Sequence, residues 1–256
     1  MCKIASVKEH SVIGIVLAGG RSSRYHRLKH KFLDIYRGEE IIKHVLRAMK
    51  PLVEEIVIVV GPEHEEVREV LEGFEVPINF AIQESPLGTG HALLSTAPLL
   101  EKRNAILLMS FADKPLITSS TFSVLLTEHI QSKAEITFAV ASLPDPGSKG
   151  RIIRKEGKFI DIVEAKDAGE DIKHIKEVHA GYLCCYTRSI YERLRRLDNN
   201  NAAGEYYLTK VYREFINDGL PLHTVEIPGR ESYDINAVHQ LDNIQEWESL
   251  FAGKKE

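Results

Sequence analysis

The segment that most constrains the fold is a short apolar run near the N-terminus that breaks into two glycines. Residues 12–24 are VIGIVLAGGRSSR. A buried strand that opens into such a loop can bring backbone N–H groups close to a phosphate, because glycine has no Cβ. Arg24, Lys29 and Lys31 can then offset the phosphate charge. We expect this loop to hold a nucleoside triphosphate.

Two features limit what this loop can be. No Gly-Lys-Ser/Thr follows it, so it is not a Walker A loop, and it also lacks the Gly-x-Gly-x-x-Gly pattern. Lys31 precedes the apolar pair Phe32-Leu33, which would fix its position against a phosphate. The alternative for the glycine loop is an ordinary strand-to-helix turn. The alternative for Lys31 is that it is a surface lysine.

Composition places the chain among ordinary globular proteins and removes some function classes. The 256 residues carry a formal net charge of −4, which argues against a large non-specific nucleic-acid surface. No apolar run has the length of a membrane span or resembles a secretory signal. The three cysteines imply no disulfide framework. We expect a cytoplasmic protein that binds neither nucleic acid nor membrane; the oligomeric state stays open.

Strand-like and helix-like segments alternate over the first half of the chain. Helical apolar spacing appears at 41–49, 67–71 and 122–130, with Thr118 among the capping residues of the third segment. This alternation predicts an α/β fold, with a Rossmann-like, mainly parallel sheet and helices on both faces. The β-branched apolar runs lie at 13–17, 56–60, 78–82, 105–110 and 136–140.

After residue 144 the pattern changes to short strands and charged connections. Segments 151–154 and 159–164 flank a turn that contains Gly157, which predicts a hairpin. We interpret 147–181 as a small β insertion or lid within a single domain, 1–256. A strand at 178–186 and helices at 189–197, 206–217 and 238–251 complete the prediction.

A second motif, QESPLGTGHA at residues 83–92, begins where the strand 78–82 ends. Gln83 carries both a donor and an acceptor, which suits the edge of a nucleobase. Gly88 and Thr89 open a helix whose N–H groups could face an anion or a base carbonyl. His91 is interpreted as a structural residue, and a plain helix-initiating turn is the alternative for the whole motif.

A third motif places an acidic side chain after the strand 105–110. Asp113 would lie at the carboxyl end of that strand, near the phosphate loop, where a hard cation such as Mg²⁺ could be held. A turn aspartate is the alternative. Further candidate contacts for a hydroxyl-rich ligand occur later in the chain. They are Gly150, Glu164 and the carboxylates and amides within 199–209 and 234–236.

Together these motifs resemble the sugar-phosphate nucleotidyltransferases, and most of all the uridylyltransferase domain of bacterial N-acetylglucosamine-1-phosphate uridylyltransferase. The resemblance covers about residues 13–251 with the motifs in the family's order. Its most specific parts are LGTGHA at 87–92, GEYYLT at 204–209 and GRIIR at 150–154. The β-helix acetyltransferase domain of that family has no counterpart in these 256 residues, so we do not expect a bifunctional enzyme.

The resemblance implies a role for each matching position. Arg24 and Lys31 would be catalytic, binding phosphates and stabilising the transition state. Asp113 and Asn236 would be the protein ligands of Mg²⁺. The nucleotide, expected to be UTP, would contact Leu17, Ala18, Gly19, Gly20, Gln83, Gly88 and Thr89. The sugar 1-phosphate, expected to be N-acetylglucosamine 1-phosphate, would contact Ala112, Gly150, Glu164 and His179.

Several positions depart from the family pattern. Ala112 replaces a glycine, His179 an asparagine and Lys210 an acidic residue. The segment Arg21-Ser22-Ser23-Arg24 and the residues after Asp113 are similar to the molybdenum-cofactor nucleotidyltransferases. Two alternatives therefore stay open: a nucleotidyltransferase acting on another alcohol phosphate, and a nucleotide-binding sensor without activity.

Overall fold

A mixed nine-stranded sheet organises the chain in the computed structural model, which describes residues 10–19 and 30–235. Two short strands, Ile35–Tyr36 and Glu39–Glu40, form a separate antiparallel pair. The strands are β1 (Val12–Leu17), β2 (Ile35–Tyr36), β3 (Glu39–Glu40), β4 (Glu55–Val60), β5 (Ile78–Ile82), β6 (Ile106–Phe111), β7 (Ile136–Ser142), β8 (Arg151–Lys155), β9 (Lys158–Val163), β10 (Glu177–Tyr186) and β11 (Leu222–Glu226).

Helices connect most of these strands. The long helix α5 begins at the predicted cap, where the side chain of Thr118 accepts a hydrogen bond from the Thr121 amide. The helices are α1 (Ile41–Met49), α2 (Glu65–Val70), α3 (Thr89–Leu94), α4 (Ala97–Leu100), α5 (Ser119–Ser132), α6 (Glu170–Lys173), α7 (Thr187–Arg195) and α8 (Val211–Asn217). Short 3-10 turns cover Lys31–Leu33, Lys50–Leu52, Leu208–Lys210 and Gly229–Ser232.

The strand order across the main sheet is β11-β7-β10-β6-β1-β4-β5. Strand β1 is parallel to β4 and β6, whereas β10 is antiparallel to both of its neighbours in this order, β6 and β7. The prediction of a mainly parallel sheet is confirmed. Because β1, β4, β5 and β6 run in one direction, the loops after them meet at one edge of the sheet, where ligands of such sheets bind.

Each face of the sheet carries its own hydrophobic core. Alternate residues of β1 point to opposite faces: Val12 and Val16 join the core under α1 and α5, and Ile13, Ile15 and Leu17 join the core under α3, α7 and α8. All five of these side chains are buried. Burial on both faces explains why β1 has no polar residue along its length.

The predicted insertion contains the antiparallel hairpin β8–β9 and the short helix α6. At the hairpin turn Glu156 and Gly157 have φ values of +52° and +77°, as a tight two-residue turn requires. Val178 of β10 pairs with Arg151 of β8, which joins the hairpin to the main sheet. The hairpin therefore lies against the same strand that carries His179.

Some predicted features lie outside the described residues, and three described strands, β2, β3 and β11, were not predicted. Gly20, Arg24, Asn236 and the helix expected at 238–251 are outside the described ranges. Strand β11 extends the sheet by pairing parallel to β7. Within residues 10–19 and 30–235, no helix has the length and apolar character needed to cross a bilayer.

Candidate active site

The loops after β1, β5 and β6 surround a cavity of about 470 Å³ at the carboxyl edge of the sheet. Most of the predicted nucleotide-binding residues in the described ranges line it. Ala18 does not, because it is buried and its amide donates to the carbonyl of Val59 at 2.8 Å. The predicted residues that line this first cavity are Leu17, Gly19, Lys31, Gln83, Gly88, Thr89, Ala112 and Asp113.

Gln83 is a buried amide held in one orientation by its neighbours. Its Nε2 donates to the carbonyl of Gly88 and to Nδ1 of His91, both at 3.0 Å. The side-chain oxygen approaches Gly19, where an added Cβ would lie only 2.8 Å from it. An amide fixed in this way presents its acceptor to the cavity, which suits a donor on a nucleobase. His91 therefore helps to hold the Gln83 side chain in place, a specific role that the sequence did not predict.

Two distant motifs of the sequence are hydrogen-bonded to each other beside this cavity. The Tyr206 amide donates to the Leu87 carbonyl and the Gly90 amide donates to the Tyr206 carbonyl, each at 2.8 Å. The Leu208 amide donates to Oγ1 of Thr89 at 3.0 Å. The segments 83–92 and 199–209 therefore form one wall.

Gly88 makes this contact between segments possible. Its φ of +117° is a conformation that side-chain-bearing residues rarely adopt. A Cβ added there would lie 2.7 Å from both the amide nitrogen and the carbonyl oxygen of Tyr206. Both constraints require glycine at this position.

Lys31 and Asp113 form an ion pair at the mouth of the first cavity. Lys31 Nζ lies 2.5 Å from Asp113 Oδ2, and the two side chains are 20% and 15% exposed. The buried side chains of Phe32 and Leu33 anchor the 3-10 turn that carries Lys31, as their apolar character predicts. The Ala112 amide donates to the Leu17 carbonyl at 3.1 Å, which fixes the loop before Asp113.

The residues around Asp113 fit a magnesium ion. Asp113 and Asp234 supply carboxylate oxygens to one cavity, and the Ile235 amide donates to the Asp113 carbonyl at 3.0 Å. Asn236 is the next residue in the sequence and is outside the described ranges. In the described part of the chain no group of three His, Cys, Asp or Glu residues is arranged for a metal. Mg²⁺ usually takes one or two carboxylates and completes its shell with phosphate and water, so this oxygen-donor set suits it.

A second cavity, of about 310 Å³, adjoins the first. It contains three of the four predicted sugar contacts, Gly150, Glu164 and His179, whereas the fourth, Ala112, lines the first cavity. Lys210, the third departure from the family pattern, pairs with Asp198 at 3.2 Å and lines neither of these two cavities. The residues that line both cavities are Thr89, Phe111, Asp113 and Glu205.

Glu164 is a buried carboxyl group inside the second cavity. Burial raises its pKa, and a 2.6 Å hydrogen bond from Oγ1 of Thr209 acts in the opposite direction. Thr209 belongs to the segment 199–209, so the same segment supports the nucleotide wall and the acid of the second cavity. A carboxyl group with one protein partner retains acceptor capacity for a ligand hydroxyl.

His179 lies in the wall of the second cavity with both ring nitrogens engaged. The Gly181 amide donates to Nδ1 at 3.2 Å, so Nε2 carries the proton and donates to the Tyr212 hydroxyl at 2.7 Å. Burial lowers the pKa of His179 to about 3 and keeps the ring neutral. The ring therefore offers a surface rather than a hydrogen-bonding nitrogen to a ligand.

Two lysines of the second cavity were not predicted as site residues. Lys114 is buried and donates to the Ser232 carbonyl at 3.0 Å; Lys149 donates to the same oxygen at 2.8 Å and pairs with Asp234. Burial, followed by the charge of Lys149, lowers the pKa of Lys114 to about 8. The only signal in the sequence was the position of Lys114 directly after Asp113.

Gly181 provides the space for Lys114. Its φ is +91°, and an added Cβ would lie 2.5 Å from Cε and 3.1 Å from Nζ of Lys114. The Lys114 ammonium also lies 5.5 Å from the ring centre of Tyr182, whose hydroxyl donates to the Glu231 carbonyl at 2.5 Å. The turn Gly229–Ser232 is thus held to the cavity through backbone carbonyls.

Comparison with known proteins identifies the family. The MobA-like NTP transferase domain matches residues 14–215. The chain belongs to this family. Among curated relatives, the bifunctional protein GlmU of Acetivibrio thermocellus is 35% identical over 84% of this chain and 47% of its own length. The GlmU protein of Brevibacillus brevis is 38% identical over 77% of this chain and 42% of its own length.

The chain spans about half the length of these curated relatives. They confirm the resemblance to sugar-phosphate nucleotidyltransferases that the motifs predict. A crystal structure from Bacillus anthracis, assigned as a glucose-1-phosphate thymidylyltransferase, superposes with a TM-score of 0.77 over 96% of this chain and 97% of that chain. Its sequence is 20% identical, so it supports the fold alone.

Proposed function

We propose that this member of the NTP transferase family is a Mg²⁺-dependent enzyme that joins N-acetylglucosamine 1-phosphate to UTP and releases pyrophosphate. The observation that carries the proposal is the junction of the two cavities at Asp113. A nucleotide in the first cavity and a sugar phosphate in the second would have their phosphates adjacent at this carboxylate. The GlmU relatives favour the uridine nucleotide and the N-acetylated sugar.

The first cavity provides the groups for a pyrimidine nucleotide. The fixed amide of Gln83 and the backbone around Gly88 and Thr89 would contact uracil, whose edge carries both donors and acceptors. Leu17, Gly19 and Gly20 would contact the nucleotide at the end of β1 and in the loop that follows it, whereas the buried Ala18 would support that loop through its bond to Val59. Lys31 would bind a phosphate as a point charge when a ligand competes for its bond to Asp113.

The second cavity provides the groups for a sugar. Glu164, hydrogen-bonded by Thr209, would accept a hydrogen bond from a sugar hydroxyl. Gly150 would allow the sugar to approach the backbone, and the neutral ring of His179 would bound the sugar on one side. Ala112 would contact the substrates from the first cavity, close to the junction.

The reaction needs positioning and charge compensation more than acid or base catalysis. An anionic oxygen of the sugar phosphate forms a bond to the α-phosphorus of UTP. The bond from that phosphorus to the bridging oxygen breaks, and pyrophosphate leaves with the electron pair. The nucleophile is already ionised, so no proton has to be removed. Lys31 and Arg24 would compensate the charge that develops on the phosphates.

Magnesium would be held by Asp113 and Asn236. When bound there, it would neutralise phosphate charge and orient the triphosphate. The Asp113 carboxylate also pairs with Lys31, which places a cation beside the proposed metal position. Asp234 supplies a second carboxylate close to the same place, although its described partners are the two lysines.

The test is a substrate panel. Each of UTP, CTP, GTP and dTTP is combined with several sugar 1-phosphates and Mg²⁺, and pyrophosphate release is measured. We expect the highest kcat/KM for UTP with N-acetylglucosamine 1-phosphate. A clear preference for another nucleotide and sugar phosphate would change the proposed substrates, but the proposed reaction class would stand. Nucleotide binding without pyrophosphate release for any acceptor would instead support a sensor.

The family match favours one second candidate for inclusion in that panel. The matching domain is described as MobA-like, and the sequence around Asp113 resembles that branch. The corresponding acceptor would be a small alcohol phosphate other than a sugar 1-phosphate, tested with each nucleoside triphosphate. Pyrophosphate release with such an acceptor alone would favour the molybdenum-cofactor branch over the sugar-phosphate branch.

A further inference from the structure

The second cavity has a cationic end formed by Lys114 and Lys149. Both ammonium nitrogens bond to the Ser232 carbonyl, at 3.0 and 2.8 Å, so the two positive charges lie side by side. Asp234 pairs with Lys149 and lies 3.7 Å from Lys114. Two ammonium groups therefore share one carboxylate and one backbone oxygen. This local excess of positive charge suits an anionic ligand.

The other end of the same cavity is acidic. Glu164 and Glu205 also line the cavity, and the Thr209 hydroxyl donates a hydrogen bond to Glu164. A ligand with an anionic group on a hydroxyl-rich body can satisfy both ends in only one orientation.

The cationic end adjoins the junction of the two cavities. Lys114 follows Asp113 in the chain, and Asp113 lines both cavities. The described contacts of Lys149 account for two of the three N–H donors of its ammonium group, which leaves one for a ligand. An anion bound by the lysines would lie beside the place where the nucleotide phosphates are expected.

We propose that Lys114 and Lys149 bind the phosphate monoester of the acceptor substrate and so select acceptors that carry a phosphate. This proposal rests on the proposed function, since it assigns the nucleophilic phosphate to one end of the second cavity. The two point charges would hold separate phosphate oxygens, and Glu164 would hold the sugar at the other end. The assignment explains why two cations are placed in a cavity that is otherwise suited to hydroxyl groups.

The experiment compares a lysine variant with a matched control. K149M removes the charge and keeps an apolar chain of similar length, whereas K102M makes the same change at an exposed lysine that lines neither substrate cavity. Calorimetry measures the binding of N-acetylglucosamine 1-phosphate and of unphosphorylated N-acetylglucosamine. We expect K149M to bind the phosphorylated sugar at least about 10-fold more weakly, because a charge-assisted hydrogen bond is lost. K102M and binding of the unphosphorylated sugar should not change.

Steady-state kinetics separate this proposal from the proposed function. K149M should raise KM for the sugar phosphate by about the same factor as it weakens binding, about 10-fold or more, and leave KM for UTP within about 2-fold. K149R, which keeps the charge, should recover most of the affinity. If wild-type protein releases no pyrophosphate but binds the phosphorylated sugar more tightly than K149M does, the proposed function fails and this assignment stands.

Two results would overturn the assignment. One is equal affinity of wild-type protein and K149M for the phosphorylated sugar. The other is equal affinity of wild-type protein for the phosphorylated and unphosphorylated sugars. K114M provides a second comparison if circular dichroism shows that this variant folds. If K114M does not fold, the result for K149M alone decides the assignment.

Discussion

The two cavities are built from different kinds of chemical groups. One side of the first is made by backbone and by one fixed amide, where Gly19, Gly88 and Thr89 lie beside Gln83 at the carboxyl ends of parallel strands. The second is made by charged and aromatic side chains from segments far apart in the sequence, such as Glu164, His179 and Lys149. The first can be recognised from short motifs, whereas the second depends on tertiary structure.

This difference separates the constant part of the chemistry from the variable part. A triphosphate presents the same groups in every reaction of this type, and backbone N–H groups at strand ends can bind it. An acceptor varies in charge and in hydroxyl pattern, and side chains provide that selectivity. The chain keeps LGTGHA beside the first cavity, and it departs from the family pattern at Ala112 in the first cavity and at His179 in the second.

The largest expected effect comes from the residue that the cavities share. D113A should lower kcat by about 1000-fold or more, because it removes the predicted metal ligand and the carboxylate that pairs with Lys31. Pyrophosphate release at saturating substrates measures this loss. D171A, at an exposed aspartate of α6, is the control and should retain activity. Near-normal turnover by D113A would remove this residue from the reaction centre.

A pair of substitutions tests whether the cavities bind different substrates. Q83A should raise KM for UTP by about 30-fold, because a buried hydrogen-bonding partner is lost. E164A should raise KM for the sugar phosphate by about 10-fold for the same reason. Each variant should leave the other KM within about 2-fold, as independent sites predict. If both variants change both KM values equally, the assignment of one substrate to each cavity is wrong.

The wall between the segments 83–92 and 199–209 can be tested through stability. G88A should lower the free energy of unfolding by about 2 kcal/mol, because it combines an unfavourable φ with a clash at Tyr206. Gly73 is a matched control, since its φ is +72° and an added Cβ would meet no atom within 4 Å. G73A should therefore show the conformational cost alone, about 1 kcal/mol. Urea denaturation measures both, and equal losses would contradict the close approach at Tyr206.

The smallest expected effect is a pH dependence of stability at Glu164. A raised pKa means that the folded chain holds this proton more tightly than the unfolded chain does. The carboxyl group therefore contributes less to stability as pH rises above its ordinary pKa of 4.5. E164Q should be more stable than wild type at pH 7, and this advantage should be smaller at pH 4.5. An advantage that is the same at both pH values would contradict the raised pKa.

The sequence predicted the parts of the fold that have strong local signals. Strand β5 has the predicted bounds, and α5 begins after the predicted cap at Thr118. Strand β11 was missed because it is short, lies at the edge of the sheet and mixes polar with apolar residues, so that only Val225 is buried. Such a strand is specified by its pairing with β7 more than by its own pattern.

The site residues divide in the same way, into those with a local signal in the sequence and those without one. Gln83, Asp113 and Lys31 could be predicted because each follows a strand or precedes an apolar anchor. The convergence of Lys114 and Lys149 could not, because it depends on the Ser232 carbonyl, and a backbone oxygen has no residue-type signature. The engagement of both ring nitrogens of His179 likewise depends on its spatial neighbours.

The contact between Gly181 and Lys114 has a consequence for sequence variation. An added Cβ at position 181 would lie 2.5 Å from the lysine side chain, so any larger residue there would displace it. Natural relatives that carry a larger residue at this position should therefore have a shorter side chain in place of the lysine. A lysine at position 114 therefore depends on the absence of a side chain 67 residues further along the chain, although the two residues share no local sequence motif.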